Sequence, residues 1–182
     1  MVRHKPRLKT PITYYGGKQQ MLQHILPLIP KHNTYTEPFA GGLAVFWAKE
    51  PVESEVINDV DQEIVNFYEV LRLCPDSLQK LIDSTLHSRS QYEDALTIYH
   101  NPHLFNDVKR AWAFWILTAQ GFASKIGTWG YDKHGKEPQR TTRKKRLDLS
   151  PYTERLERVT IDNNDAVKII AAHDSLSAFH YV

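Results

Sequence analysis

The chain has 182 residues, enough for one domain or for one domain that carries a sizeable insertion. A hydrophobic fraction of 41% supports a core, and a formal net charge of +2 does not by itself indicate a nucleic-acid binder. The single cysteine, Cys74, excludes an internal disulfide and offers no zinc site, which fits a reducing cytoplasm. No apolar run approaches the roughly 20 residues that cross a bilayer, so we expect a cytoplasmic protein with no membrane partner.

The first segment, residues 11–72, alternates strand-like runs with amphipathic helical patterns. Strands are predicted over residues 34–37 and 55–58, and helices over residues 18–29, 43–49 and 62–72. This alternation predicts an α/β fold in which helices cross over between parallel strands.

Residues 75–124 look wholly helical and are rich in large aromatic residues. Four of these lie in one apolar stretch, and we expect most of them in a buried helix: Trp112, Phe114, Trp115 and Phe122. The segment that follows, residues 125–146, contains several glycines and Pro138 and is predicted to be a loop. Its basic residues far outnumber its two acidic ones, Asp132 and Glu137.

The last segment returns to the α/β pattern. Helices are predicted over residues 151–158 and 166–173, and strands over residues 159–163 and 177–182. Pro151 suits the first turn of its helix, because a first-turn residue needs no amide hydrogen.

A strand, a turn of small residues and a helix follow one another from Thr34 to Lys49. Gly41 and Gly42 in this turn allow the backbone to approach a ligand closely, and cofactors bind at such a strand end in open α/β sheets. The pattern is not Gly-x-Gly-x-x-Gly, which disfavours a nicotinamide cofactor. A Gly-Gly turn by itself is often only a turn.

Two further motifs flank this turn. Asp59 follows the second strand, where an acidic residue can accept hydrogen bonds from a ribose diol, although it could instead cap the next helix. Upstream, the Gly-Gly-Lys turn that ends at Lys18 could present its ammonium to an anion or could simply start a helix. Ile12 and Gln19 occupy positions that a P-loop reserves for Gly and for Ser or Thr, which excludes that motif.

The order and spacing of the three motifs, at residues 11–18, 36–42 and 57–59, resemble those of the Dam-like DNA adenine methyltransferases. The resemblance covers residues 11–72 and resumes at about 158–182. It implies transfer of a methyl group from S-adenosyl-L-methionine (SAM) to the exocyclic amine of adenine in double-stranded DNA. It also implies a partial Rossmann-like sheet of about four parallel strands, in the order third, second, first, fourth, with a helical target-recognition insertion.

The resemblance carries roles over to individual residues. The cofactor contacts that it implies are Tyr14, Gly17, Lys18, Glu37, Phe39, Ala40, Gly41 and Asp59. Asp165 resembles the family's acidic position near the SAM adenine, although it could cap the following helix, and Asp162 is a competing candidate.

The resemblance also divides the chain. Residues 1–72 would form the first part of the SAM-binding domain, residues 73–157 the target-recognition insertion, and residues 158–182 the return to the SAM-binding domain. Basic residues in the insertion would neutralise DNA phosphates, although a charge run is more often solvated surface. The expected DNA contacts are Lys125, Lys133, Lys136, Arg140, Arg143, Lys144, Lys145 and Arg146.

In the family, Asp-Pro-Pro-Tyr follows the fourth strand and holds a flipped adenine. This tetrapeptide does not occur in the 182 residues, so we expect no catalytic residue in the chain and no methylation by the chain alone. One half of a split methyltransferase and a non-catalytic DNA-binding or regulatory module are the alternatives. We also expect the fourth strand to be a sheet edge with apolar Phe179 and Val182 and unpaired backbone groups, which predicts self-association, a second chain, a covering segment or partial disorder there.

Overall fold

The computed structural model describes residues 7–131, 134 and 136–182, which form two compact units. The first unit comprises residues 7–10, Gly16–Val65 and Arg155–Val182, and the second comprises Pro11–Tyr15 and Asn66–Glu154. In this described part of the chain, no helix combines the length and the apolar character that a membrane span needs. The assignment of residues 1–72, 73–157 and 158–182 to cofactor and DNA binding stays a prediction.

The first unit is built on a four-stranded parallel sheet in the order β3-β2-β1-β4, so the predicted strand order is confirmed. The strands are β1 (Thr34–Glu37), β2 (Ser54–Asn58), β3 (Val159–Asp162) and β4 (Ala178–His180). Glu37 pairs with Ile57, and Asn58 pairs with Asp162. The loops that follow β1, β2 and β3 therefore leave the sheet at the same edge.

The helices of the first unit are short. They are α1 (Leu22–Ile25), α2 (Ala44–Ala48), the start of α3 (Gln62–Leu73) and α9 (Ala166–His173). The helix predicted over residues 18–29 is shortened, because a 3₁₀ turn from Leu26 to Leu28 replaces its second half. This turn contains Pro27, which has no amide hydrogen for an α-helical bond.

Strand β4 is an outermost strand of the sheet and pairs with β1 on one side only. Its Phe179 is half-buried, because the ring centroid lies 5.4 Å from that of His32 and 6.1 Å from that of Tyr35. The predicted edge position of this strand is confirmed, with Phe179 half-buried and Val182 75% exposed. Association through this edge stays a prediction.

The second unit is helical. It contains α4 (Pro75–Ser84), α5 (Arg89–His100), α6 (Asp107–Gln120), α7 (Lys136–Lys145) and most of α8 (Ser150–Leu156). Every residue of α6 from Ala111 to Gln120 is buried. The expected burial of Trp112, Phe114 and Trp115 is therefore confirmed, but Phe122, which follows the helix, is 68% exposed.

The basic segment is not a continuous loop, because its second half forms helix α7. Pro138 lies in the first turn, where a helix tolerates proline, and the last turn carries Arg143, Lys144 and Lys145 near the negative end of the helix dipole. Thr141 is buried and anchors the helix. The prediction of a loop over residues 125–146 is therefore wrong for residues 136–145.

A buried ion cluster supports the sheet of the first unit. Glu55 on β2 accepts hydrogen bonds from Lys49 and Arg155, and the distance from Arg155 Nη2 to Glu55 Oε1 is 2.9 Å. All three side chains are at least nine-tenths buried. Burial lowers the pKa of Lys49, because desolvation disfavours the ammonium, while the Glu55 carboxylate opposes that shift.

Glu55→Gln removes the one carboxylate shared by these two cations. We expect the free energy of unfolding in urea to fall by about 3–5 kcal/mol, because two buried cations lose their counter-charge. The matched control is Glu50→Gln, since Glu50 pairs with Arg7 at the surface and such pairs contribute little. Equal losses in the two variants would contradict the structural role of Glu55.

Candidate cofactor site

One buried amide, at the end of β2, joins two loops at the carboxyl edge of the sheet. Asn58 Nδ2 donates to the carbonyl oxygens of Pro38 at 2.9 Å and Asn164 at 3.0 Å. Its Oδ1 accepts from Asn164 N at 2.8 Å, and the residue is only 1% exposed. Asn58 therefore holds the loops after β1 and β3 against the end of β2.

Asp59 braces the loops beside it. Its Oδ2 accepts from Gly41 N at 2.9 Å, and its Oδ1 accepts from Asp61 N at 3.0 Å. Burial raises the pKa of Asp59, and these backbone hydrogen bonds partly offset the shift. Asp61 holds the start of α3, because its Oδ1 accepts from Glu63 N at 2.9 Å. Asp59 is thus not needed as a cap, and its side chain is half-exposed at the strand edge.

The turn between β1 and α2 is held in one conformation. Ala40 N donates to Asn58 O at 2.8 Å, and Leu43 N donates to Ala40 O at 2.7 Å. Gly41 has a φ of 45° and Leu43 a φ of 54°, so both are left-handed. This conformation costs a residue other than glycine roughly 1–2 kcal/mol, which the burial of Leu43 offsets. Phe39 within the turn is 59% exposed.

Glu37 points into the interior. Its Oε2 accepts from Tyr35 Oη at 2.8 Å and from Phe46 N at 3.2 Å, and the residue is 3% exposed. Burial raises the pKa of Glu37 to about 8, although both hydrogen bonds and the Lys49 charge act to lower it. One oxygen of this carboxyl, Oε2, is therefore bonded to protein groups, and cofactor contact by Glu37 stays a prediction.

The glycine–lysine turn lies ahead of α1, a helix that packs against α2. Gly16 has a φ of 76°, Gly17 and Lys18 are exposed, and Lys18 Nζ donates to Gly16 O at 2.8 Å. Tyr14 belongs to the second unit, where its ring centroid lies 6.3 Å from that of Phe114.

Asp165 caps helix α9. Its Oδ1 accepts from Val167 N at 3.0 Å and from Lys168 N at 3.2 Å, which is the alternative role considered for it. The competing candidate, Asp162, accepts from Asn163 N at 2.7 Å. Cofactor contact by either carboxylate stays a prediction.

The basic residues of the second unit divide into two groups. Lys144 Nζ donates to Ala119 O at 3.1 Å, Lys145 Nζ to Thr85 O at 2.7 Å, and Arg140 Nη2 to Gly121 O at 3.4 Å. These three cations satisfy backbone carbonyls of the same unit. The remaining described members are exposed: Lys125, Lys136, Arg143 and Arg146. Lys133 lies outside the described residues.

An aromatic group lies at the end of α6. Trp129 stacks between His87 at 5.2 Å and Tyr131 at 6.1 Å, measured between ring centroids, and the Arg89 guanidinium lies 4.8 Å from its ring. Tyr131 is 70% exposed. This surface, which also borders exposed Phe122, was missed because the aromatic pattern of the sequence indicated only a core.

A family model described as "D12 class N6 adenine-specific DNA methyltransferase" matches residues 14–182. The chain belongs to this family. The four-stranded parallel sheet is consistent with a Rossmann-like methyltransferase fold.

Three known proteins are similar in sequence to parts of this chain. The type II methyltransferase M1.LlaDCHI of Lactococcus lactis subsp. cremoris is 37% identical over 93 residues, which are 50% of this chain and 32% of that protein. The DNA N-6-adenine-methyltransferase of Escherichia phage P1 is 31% identical over 109 residues, 59% of this chain and 14% of that protein. The modification methylase StsI of Streptococcus sanguinis is 33% identical over 72 residues, 39% of this chain and 11% of that protein. The chain thus matches at most about a third of the length of each relative.

The residues at the carboxyl edge suit a SAM ligand by their chemistry. Asp59 offers a half-exposed carboxylate to a diol, and Phe39 and Val60 offer exposed apolar surface beside the two strand ends. Lys18, in the turn before α1, has an exposed ammonium that can pair with a ligand carboxylate.

Asn58→Ala should disconnect the loops at this edge. Because the variant leaves the carbonyl oxygen of buried Pro38 and the backbone groups of Asn164 without this partner, we expect the free energy of unfolding to fall by about 2–4 kcal/mol in urea titrations. Asn163→Ala is the control, since Asn163 is exposed and donates to Asp59 O at 2.8 Å. If the free energy of unfolding fell no more than in the control, the Asn58 side chain would not be what holds the two loops against β2.

Proposed function

We propose that this chain forms the SAM-binding and DNA-contacting portion of a DNA adenine methyltransferase, which transfers the SAM methyl group to the exocyclic amine of adenine. The membership of the D12 class family supports the reaction. The observation that carries the proposal is the bond from Gly41 N to Asp59 Oδ2, which couples the Gly-Gly turn to the acidic residue after β2. Among known proteins, the Lactococcus and phage P1 relatives are named as methyltransferases.

Each cofactor residue has a proposed task. The Asp59 carboxylate accepts hydrogen bonds from the ribose hydroxyls, and the Pro38–Leu43 turn presents Phe39, Ala40 and Gly41 to the cofactor. Gly17 and Lys18 hold the methionine carboxylate, and Tyr14 is a further proposed cofactor contact. When bound, SAM supplies an electrophilic methyl group on a sulfonium, and the protein residues hold it in a fixed orientation. We also propose a cytoplasmic location, which fits the single cysteine.

Asp59→Asn tests the cofactor proposal. We expect the Kd for SAM, measured by calorimetry, to rise roughly 10- to 100-fold, because an amide replaces an acceptor that makes charge-assisted hydrogen bonds. Asp76→Asn, at an exposed position of α4, is the matched control and should leave the Kd unchanged. An Asp59→Asn variant that binds SAM as well as the control would remove Asp59 from the site.

We propose that the exposed cations of the second unit, rather than all eight basic residues, contact DNA phosphates. Lys125, Lys136, Arg143 and Arg146 are exposed, whereas three others already serve backbone carbonyls. The exposed rings of Phe122 and Tyr131 are suited to stack on an unpaired base.

Arg143→Gln tests the DNA proposal. We expect weaker binding to duplex DNA and a salt slope smaller by about one, because one phosphate contact is lost. Lys31→Gln is the control, since Lys31 is an exposed cation of the first unit, just before β1, and is not among the proposed DNA contacts. Equal slopes in the two variants would count against the interface. Tight DNA binding without SAM binding would favour a non-catalytic DNA-binding module instead.

A further inference from the structure

Helix α2 begins without a cap of its own. Its N-cap residue is Leu43, a left-handed leucine whose side chain offers no hydrogen-bond acceptor. The first amide groups of a helix otherwise have no partner within the helix. One of them, Phe46 N, donates to Glu37 Oε2 at 3.2 Å. The cap of α2 therefore comes from the last residue of β1, across the turn.

This bond closes the turn that the cofactor proposal depends on. Glu37 and Phe46 are nine residues apart, and the segment between them contains Phe39, Ala40 and Gly41. A second bond, from Tyr35 Oη at 2.8 Å, holds the same carboxyl oxygen. The Glu37 carboxyl is thus fixed from the strand and from the helix at once.

We propose that Glu37 is a positioning residue, which sets the shape of the Pro38–Leu43 turn by capping α2 and does not itself touch the cofactor. The inference rests on the proposed SAM site. It departs from the role that the family resemblance assigns to Glu37, since the residue is only 3% exposed and its Oε2 already accepts hydrogen bonds from Tyr35 Oη and Phe46 N.

The groups around Glu37 determine its protonation. Tyr35, Lys49 and Tyr181 are the titratable groups that interact with it. Because burial raises its pKa to about 8, the carboxyl carries a proton at pH 7 and is neutral. Glutamine has the same shape as this protonated acid and keeps an oxygen acceptor for both bonds.

Glu37→Gln and Glu37→Ala separate positioning from direct contact. We expect Glu37→Gln to bind SAM within about threefold of the original protein at pH 7, and Glu37→Ala to bind it at least tenfold more weakly. The loss in Glu37→Ala should be equal for SAM and for 5′-methylthioadenosine, which lacks the amino-acid part, because the whole turn is displaced. Val159→Ala, a buried substitution at the amino end of β3, should lower the Tm without changing either Kd.

Two further measurements report on the cap itself. Hydrogen exchange at the Phe46 amide should be at least tenfold faster in Glu37→Ala and nearly unchanged in Glu37→Gln. The folded-state pKa of Glu37 lies above the value in the unfolded chain, so the native state holds an extra proton between about pH 4.5 and 8. As the pH rises from about 4.5 to 8, the Tm of the original protein should therefore fall relative to the Tm of Glu37→Gln.

The outcomes distinguish the two proposals. A Glu37→Gln variant that loses at least tenfold in SAM affinity but keeps its affinity for 5′-methylthioadenosine would overturn the inference, because Glu37 would then contact the amino-acid part. Unchanged Phe46 exchange in Glu37→Ala would also overturn it. Failure of the original protein to bind SAM, with fast Phe46 exchange in Glu37→Ala, would instead refute the proposed function and leave the cap of α2 established.

Discussion

A single buried amide, the side chain of Asn58, is the constraint on which the carboxyl edge of the sheet depends. Parallel strands bring the ends of β1, β2 and β3 to one edge, but the backbone ladder stops there and leaves the following loops without regular partners. Asn58 supplies those partners for Pro38 and Asn164. Asp59 can then brace Gly41, because the loop that contains Gly41 is already held against β2.

Three carboxyl groups near this sheet have different roles because their surroundings differ. Glu55 is buried with two cations and stabilises the fold as an ion cluster. Glu37 is buried with hydrogen-bond donors, and burial is strong enough to raise its pKa to about 8. Asp59 is bonded to backbone amides and half-exposed, so it alone of the three can reach a ligand. Glu55 and Glu37 thus stabilise the buried part of the unit, whereas Asp59 lies half-exposed at the end of β2.

Not every basic residue of the second unit is exposed at its surface. Lys144, Lys145 and Arg140 direct donors to carbonyl oxygens of their own unit, where they satisfy backbone groups near the end of α6 and of α4. The exposed cations are therefore fewer than the composition of residues 125–146 indicates. The same unit also exposes two aromatic rings, those of Phe122 and Tyr131.

The sequence by itself determined the order of strands and helices, most of their boundaries and the family. These follow from short-range patterns: alternating apolar residues, the Gly-Gly turn after β1 and the acidic residue after β2. The predicted boundaries were wrong where one local feature was misjudged, as with Pro27 in the 3₁₀ turn after α1 and with the glycine-rich segment before α7. Only the tertiary structure decided which way each polar side chain points. Asn58 bonds a residue 106 positions away, and Glu37 turns inward because the start of α2 lies beneath it. Such pairings join atoms distant in the chain, and no local pattern encodes them.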